Sequence, residues 1–195
     1  MSRSHSTVLL LAKLALVVAI VTVPVATQGA KGPFFEGEQI EFSLTDLDGQ
    51  VVSSSDPRFE GRVLLIDLWA TYCPPCLTEI PTFIELQERL GDRGLVVVGI
   101  AFEAEEDPPE RRTRLREFVE QREINYLVLD GGTWSALPDA LPGLKGVRGM
   151  PVEIIVDRDH RVVEARNGYG YKKRWARKLE ATLTELLDAG SQEGP

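Results

Sequence analysis

Apolar residues recur along this chain with two different periods, and the alternation between those periods predicts an α/β fold. Gln39 to Leu44 alternates polar and apolar. Asp46-Leu47-Asp48-Gly49-Gln50 then supplies a turn before Val51-Val52, which reads as an N-terminal β-hairpin. Val63-Leu64-Leu65-Ile66-Asp67-Leu68-Trp69 and Leu95 to Phe102 are near-continuous apolar runs. Runs without alternation predict strands covered on both faces, as in a parallel or mixed sheet. Between them Leu77, Ile80, Phe83, Ile84, Leu86 and Leu90 keep helical spacing, with Gly91 as the stop. Pro108-Pro109 opens a second helix with Leu115, Phe118 and Val119 inward. Tyr126 to Leu129, Val152 to Val156 and Arg161 to Val163 read as short strands, the last two joined by the turn Asp157-Arg158-Asp159-His160. A final helix carries Trp175, Leu179, Leu183, Leu186 and Leu187 on one face. The predicted order is β, β, β, α, β, α, β, β, β, α, in one domain over residues 37–189. Residues 31–36 read as a linker and residues 190–195 as a loose tail.

The first thirty residues stand apart. They hold Arg3 and Lys13, no acidic residue, and the apolar run Leu14 to Val23. A basic start before an apolar stretch has the layout of a secretory signal peptide. Val8 to Ala26 also approaches the length that spans a bilayer, although Lys13 interrupts it. A cleaved signal peptide and an uncleaved N-terminal membrane anchor both stay open, and both place the remainder outside the cytoplasm.

Composition changes the picture in two ways. Hydrophobic residues make up 43% of the chain and charged residues 27%, which excludes a disordered chain and a polytopic membrane protein. The formal net charge is −8; without the two basic residues of the leader it is −10, from 20 basic against 30 acidic residues. Such a surface is ill suited to nucleic acid, so proteins are the expected partners. The chain has two cysteines, Cys73 and Cys76, and two histidines, His5 and His160. They are too few for a disulfide scaffold or a structural zinc site, and no metal is expected.

The cysteine pair carries the chemistry. Trp69-Ala70-Thr71-Tyr72-Cys73-Pro74-Pro75-Cys76 lies where an apolar strand meets a helix. Cysteines three apart on a first helical turn have Cα atoms about 5 Å apart, within disulfide range. Pro74 and Pro75 are tolerated there, because first-turn N–H groups have no intrahelical acceptor. A thiol of pKa ~8.5 is only about 3% thiolate at pH 7, whereas one lowered to ~7 is about half ionised. The helix N-terminus favours that lowering, so Cys73 is the expected nucleophile and Cys76 the resolving thiol. A purely structural crosslink would close too short a loop to stabilise much. Haem attachment would require His after Cys76, and residue 77 is Leu.

With these residues the chain resembles the thioredoxin superfamily, and within it the TlpA/ResA-type extracytoplasmic thiol–disulfide oxidoreductases. The resemblance spans roughly Pro33 to Ala189. It rests on the Trp69–Cys76 stretch, Glu79-Ile80-Pro81 and Val147-Arg148-Gly149-Met150-Pro151. It implies a thioredoxin-like three-layer α/β/α fold with an N-terminal β-hairpin extension. It also implies a redox-active disulfide in place of any cofactor, disulfide-containing protein substrates and a membrane electron donor. Pro151 falls where the family has its cis-proline, and Met150 where the family receives substrate backbone. Trp69, Tyr72, Pro74 and Pro75 complete the implied substrate-binding set. Glu79 matches an acidic residue that tunes thiol ionisation, against the alternative of a solvated helix charge; Pro81 matches a helix kink.

Asp67 interrupts an apolar strand six residues before Cys73. A buried, unpaired carboxyl is costly when charged, so it should keep its proton and serve Cys76 as proton acceptor and donor. Thioredoxin itself has a buried aspartate at this place. Three departures from the family pattern stand out: Tyr72 for a frequent Trp, Val152 for the usual Thr, and His160 at a turn position often held by Gly. Gly131 to Lys145, with Trp134, Pro138 and Pro142, is expected to be irregular, either a surface loop or a border of the substrate groove. The basic run around Lys172 to Lys178 reads as a solvated helix face. The leading function is dithiol–disulfide exchange in the reductive direction, in cytochrome c maturation or general thiol reduction. Two alternatives are weighed: a thiol peroxidase, whose motif is not met because Ala70 precedes Cys73 by three, and a copper-delivery module using His160.

Overall fold

The two long apolar runs form the middle of a seven-stranded sheet. The computed structural model describes residues 37–167 and 173–189. Strands β1 (Ser43–Asp46), β2 (Val51–Ser53), β3 (Val63–Trp69), β4 (Leu95–Phe102), β5 (Leu127–Gly132), β6 (Val152–Val156) and β7 (Val162–Asn167) lie in the order β2-β1-β5-β4-β3-β6-β7. β3 pairs parallel with β4, and β4 with β5; the remaining neighbours are antiparallel. Every residue of β3 is buried, as its unbroken apolar pattern predicts for a strand covered on both faces.

Alternation along the strands divides the interior into two cores. Leu65, Trp69, Val97, Ala101 and Ile155 face a core covered by α1 (Pro74–Leu90), α2 (Pro108–Gln121) and α4 (Lys173–Ala189). Leu64, Ile66, Leu68, Ile100 and Ile154 face the other core. The second face carries less helix: the N-terminal segment, the turn Pro57–Phe59, and α3 (Leu137–Ala140) with Leu141 and Leu144. The stretch 131–145 is therefore not a bare surface loop. Its Leu137, Ala140 and Leu141 are buried, and Trp134 packs edge-on to Phe102 at 5.4 Å.

Several boundaries differ from the sequence expectation for identifiable reasons. The first strand begins at Ser43, because Gln39 bridges Arg161 beside β7 and the chain then crosses the second face. The Ile40–Phe42 alternation thus reports burial against that face, not a ladder. β5 runs on through Asp130-Gly131-Gly132, a run that reads as loop. Asp130 is held there by Arg111 of α2 at 2.5 Å, and a Cβ at Gly131 would lie 2.8 Å from Ile100 and Phe102 side-chain atoms. β7 is longer than predicted because its outward charged residues hide the alternation. Gly91 is right-handed and continues into a 3-10 turn; Gly94, at φ 108°, makes the left-handed exit. His160 adopts φ 60°, the conformation for which glycine is the usual choice.

The leader, the linker and the tail lie outside the described residues, as does Lys172. Among the described residues no helix is long and apolar enough to cross a membrane.

Candidate active site

The end of β3 turns directly into α1, and the cysteines occupy that turn. Cys73 is the N-cap of α1 in extended conformation, Pro74 and Pro75 form the first turn, and Cys73 and Cys76 are joined by a disulfide with Cα atoms 5.3 Å apart. The Cys76 amide donates to Cys73 Sγ at 3.3 Å, as an amide donates to a capping oxygen. When the bond is reduced, the same amide and the helix dipole favour a thiolate at Cys73. Cys73 is 8% exposed and Cys76 is 0% exposed, so an attacking group reaches Cys73 first.

The predicted surroundings separate into a rim and a floor. Tyr72, at 53% exposure, and Pro74 stand on the rim, with Pro75 and Met150 half-buried. The Met150–Pro151 peptide bond is cis. The Leu68↔Val152 pair places it at the same end of the sheet as the disulfide. Trp69, in contrast, is fully buried. Its ring packs 5.4 Å from that of Phe118, and a Cβ on Gly99 would come within 2.8 Å of its Nε1. Trp69 therefore packs beneath the loop and is not part of its exposed rim. Pro81 lies inside α1, which stays helical to Leu90, and its missing N–H leaves the Leu77 carbonyl without its usual helical donor.

The floor is acidic. Asp67 is completely buried, and among the described residues neither of its carboxyl oxygens has a hydrogen-bond partner. Burial, then the charges of Glu79 and Glu153, push its carboxyl well above the ordinary carboxylate range. Glu79 is buried as well, so the solvated-charge reading of it does not hold. It lies one helical turn beyond Cys76 on the inward face of α1, near enough for its charge to act on Asp67.

Two acids of the site were not legible in the sequence. Glu103, at the end of β4, is buried and accepts from the Thr71 amide at 2.7 Å and from the Thr71 hydroxyl at 2.8 Å. It thereby fixes the loop two residues before the nucleophile. In the sequence it merges with the acidic stretch Glu103 to Glu110, and nothing marks it as buried. Glu153 sits in β6 directly opposite Asp67. Its only sequence signal is a charge inside a strand otherwise all apolar.

His160 lies in the β6–β7 turn, at the opposite end of the sheet from the cysteines, and its Nε2 is 2.9 Å from the Phe59 carbonyl. It is not placed to share a ligand with Cys73 or Cys76. Among the described residues no group of three or more His, Cys, Asp or Glu side chains is arranged to hold a metal ion.

Comparison with known proteins fits this geometry. The Redoxin family model matches residues 27–183. The chain belongs to the Redoxin family. This redoxin is 27% identical over 150 residues to the thiol-disulfide oxidoreductase ResA of Bacillus cereus, covering 76% of each chain. Its fold is shared by a thiol:disulfide interchange protein of Chlorobium tepidum (TM-score 0.59, 23% identity, 78% of this chain and 97% of that one). A secreted thiol-disulfide isomerase of Corynebacterium glutamicum also shares it (TM-score 0.62, 20% identity, 77% and 86%). With its disulfide at the helix N-terminus, this redoxin is a thiol–disulfide oxidoreductase of thioredoxin-like α/β fold.

Proposed function

We propose that this redoxin reduces disulfides in extracytoplasmic proteins. Cys73 thiolate attacks a substrate disulfide, a mixed disulfide forms, and Cys76 attacks Cys73 Sγ to release the reduced substrate. The observation that carries the reading is the contrast within the pair: Cys73 at the helix mouth, Cys76 wholly buried in the core toward which strand alternation also turns Asp67, whose carboxyl oxygens have no hydrogen-bond partner among the described residues. Asp67 takes the Cys76 proton as that thiol attacks, and Glu79 raises the affinity of Asp67 for it. Tyr72, Pro74, Pro75, Met150 and Pro151 form the surface on which substrate backbone docks. The pair itself is the redox group, with no cofactor.

The reductive direction follows from resemblance to the ResA-type proteins, and apocytochrome c is a substrate of suitable chemistry. The apolar run in residues 1–30 supports an extracytoplasmic location, with the leader cleaved or retained as an anchor. Outside the cytoplasm the oxidised pair requires a donor, and a membrane dithiol protein would supply it.

The test is Asp67→Asn in single-turnover exchange with a model disulfide protein. Attack by Cys73 should keep its wild-type rate, while release of substrate from the mixed disulfide slows about 10²-fold, the size of a lost general base. Equal rates in both phases would reject the role of Asp67.

A further inference from the structure

Glu153 has no part in the exchange step described above, yet it is completely buried in the core beneath the helices. Strand alternation turns Glu153 and Ile155 toward that core, while Val152, Ile154 and Val156 face the other. Across the β3–β6 register Glu153 stands directly opposite Asp67. Side chains paired in this way have Cβ atoms about 5 Å apart. Two carboxyls in one dry site do not ionise together, so one of them keeps its proton.

Their surroundings decide which one. Glu153 Oε2 accepts a hydrogen bond from Trp175 Nε1 at 3.1 Å and lies 3.6 Å from Arg166 Nε. Among the described residues Asp67 has no such hydrogen bond. Among the described residues, the other titratable or charged groups around the pair are Glu79 on α1, Tyr126 ahead of β5, Glu164 on β7 and Lys178 on α4. Glu164 is itself tied to Arg166 at 3.1 Å and to Lys178 at 3.5 Å. Among the described residues the cation beside the pair is Arg166, and it sits on the Glu153 side. The titration order agrees. Burial raises Glu153, but Trp175 and Arg166 draw it back to about 7, whereas Asp67 is raised by burial and by both neighbouring acids.

We propose that Glu153 is a positioning residue of the redox cycle: its charge, anchored by Trp175 and Arg166, keeps the working proton on Asp67 in the oxidised enzyme. This rests on the reading of Asp67 as the proton carrier. When a donor thiolate attacks Cys73 Sγ, a donor–Cys73 bond forms and the Cys73–Cys76 bond breaks. Cys76 leaves as a thiolate and takes the proton from Asp67. A second donor thiol then attacks the first donor's sulfur: the donor disulfide forms, the donor–Cys73 bond breaks, and Cys73 leaves as a thiolate that takes up the attacking thiol's proton, giving the enzyme dithiol.

The test is the pH dependence of disulfide reduction by a water-soluble phosphine, whose attack needs no thiolate. In the wild type the rate should fall as pH rises through the ionisation of Asp67. Glu153→Gln keeps an oxygen for Trp175 but no charge, and should move that break down by about one pH unit or more. Asp67→Asn should abolish the break in either background. A break lost in Asp67→Asn but unmoved in Glu153→Gln overturns the role of Glu153 alone. A break that persists in Asp67→Asn overturns the reading of Asp67, and the proposal with it. Should Glu153→Gln fail to fold, carboxyl 13C NMR titration of the oxidised wild type decides. Glu153 ionising first and Asp67 in a later step is the expected order, and the reverse order overturns the proposal.

Discussion

Cys76→Ser should trap this redoxin as a covalent adduct with its substrate, while Cys73→Ser should form no adduct. The two cysteines are neighbours in sequence but not in accessibility: Cys73 caps the helix at its mouth and Cys76 lies wholly beneath it. An incoming disulfide therefore meets Cys73, and without Cys76 the mixed disulfide has no internal route to release. The chain has no third cysteine to take over. Turnover should fall on the order of 10³-fold or more in either variant, the scale of losing a nucleophile or its partner in a unit. Mass spectrometry of the reduced Cys76→Ser protein mixed with a disulfide protein reads the adduct directly. An adduct formed by Cys73→Ser instead would reverse the assignment.

Glu153→Gln should also change how stability depends on pH. The ordinary Glu value of 4.5 rises to about 7 in the folded protein, burial being the main cause. Between those values the folded state holds a proton that the unfolded chain has released. Stability is therefore fully retained below about 4.5 and lost as pH rises toward about 7. At about 1.4 kcal/mol per pH unit, the loss amounts to about 3 kcal/mol. Asp67 is raised above its ordinary value as well and acts in the same direction. Urea denaturation of the oxidised protein at pH 4.5 and 7.5 should show Glu153→Gln keeping about 3 kcal/mol that the wild type loses. Parallel pH dependence in the two proteins would mean that Glu153 is not held protonated by burial.

Much of the site is legible in the sequence alone. The unbroken apolar runs of β3 and β4 announce strands covered on both faces, and Cys73 and Cys76 at the strand–helix junction announce the disulfide. Asp67 betrays itself by interrupting such a run. What could not be read depends on which face a polar residue turns to and what waits there. Glu153 interrupts an apolar strand as Asp67 does, but only the antiparallel register sets it across from Asp67. Glu103 is one acid in an acidic stretch, and it is singled out by two hydrogen bonds to a loop 32 residues earlier. Trp69 adjoins the motif in sequence, but β3 is covered on both faces, and Trp69 packs against Phe118 in the helix-covered core. The apolar residues of 131–145 find their burial on a sheet face left with little helix, a circumstance that local periodicity does not encode.

The reductive direction depends on one quantity, the reduction potential of the Cys73–Cys76 pair, measured by equilibration with dithiothreitol or glutathione at pH 7. A reductase built on this site should have a midpoint near that of thioredoxin, about −270 mV. A midpoint near about −120 mV, the range of a strong oxidant, would contradict it.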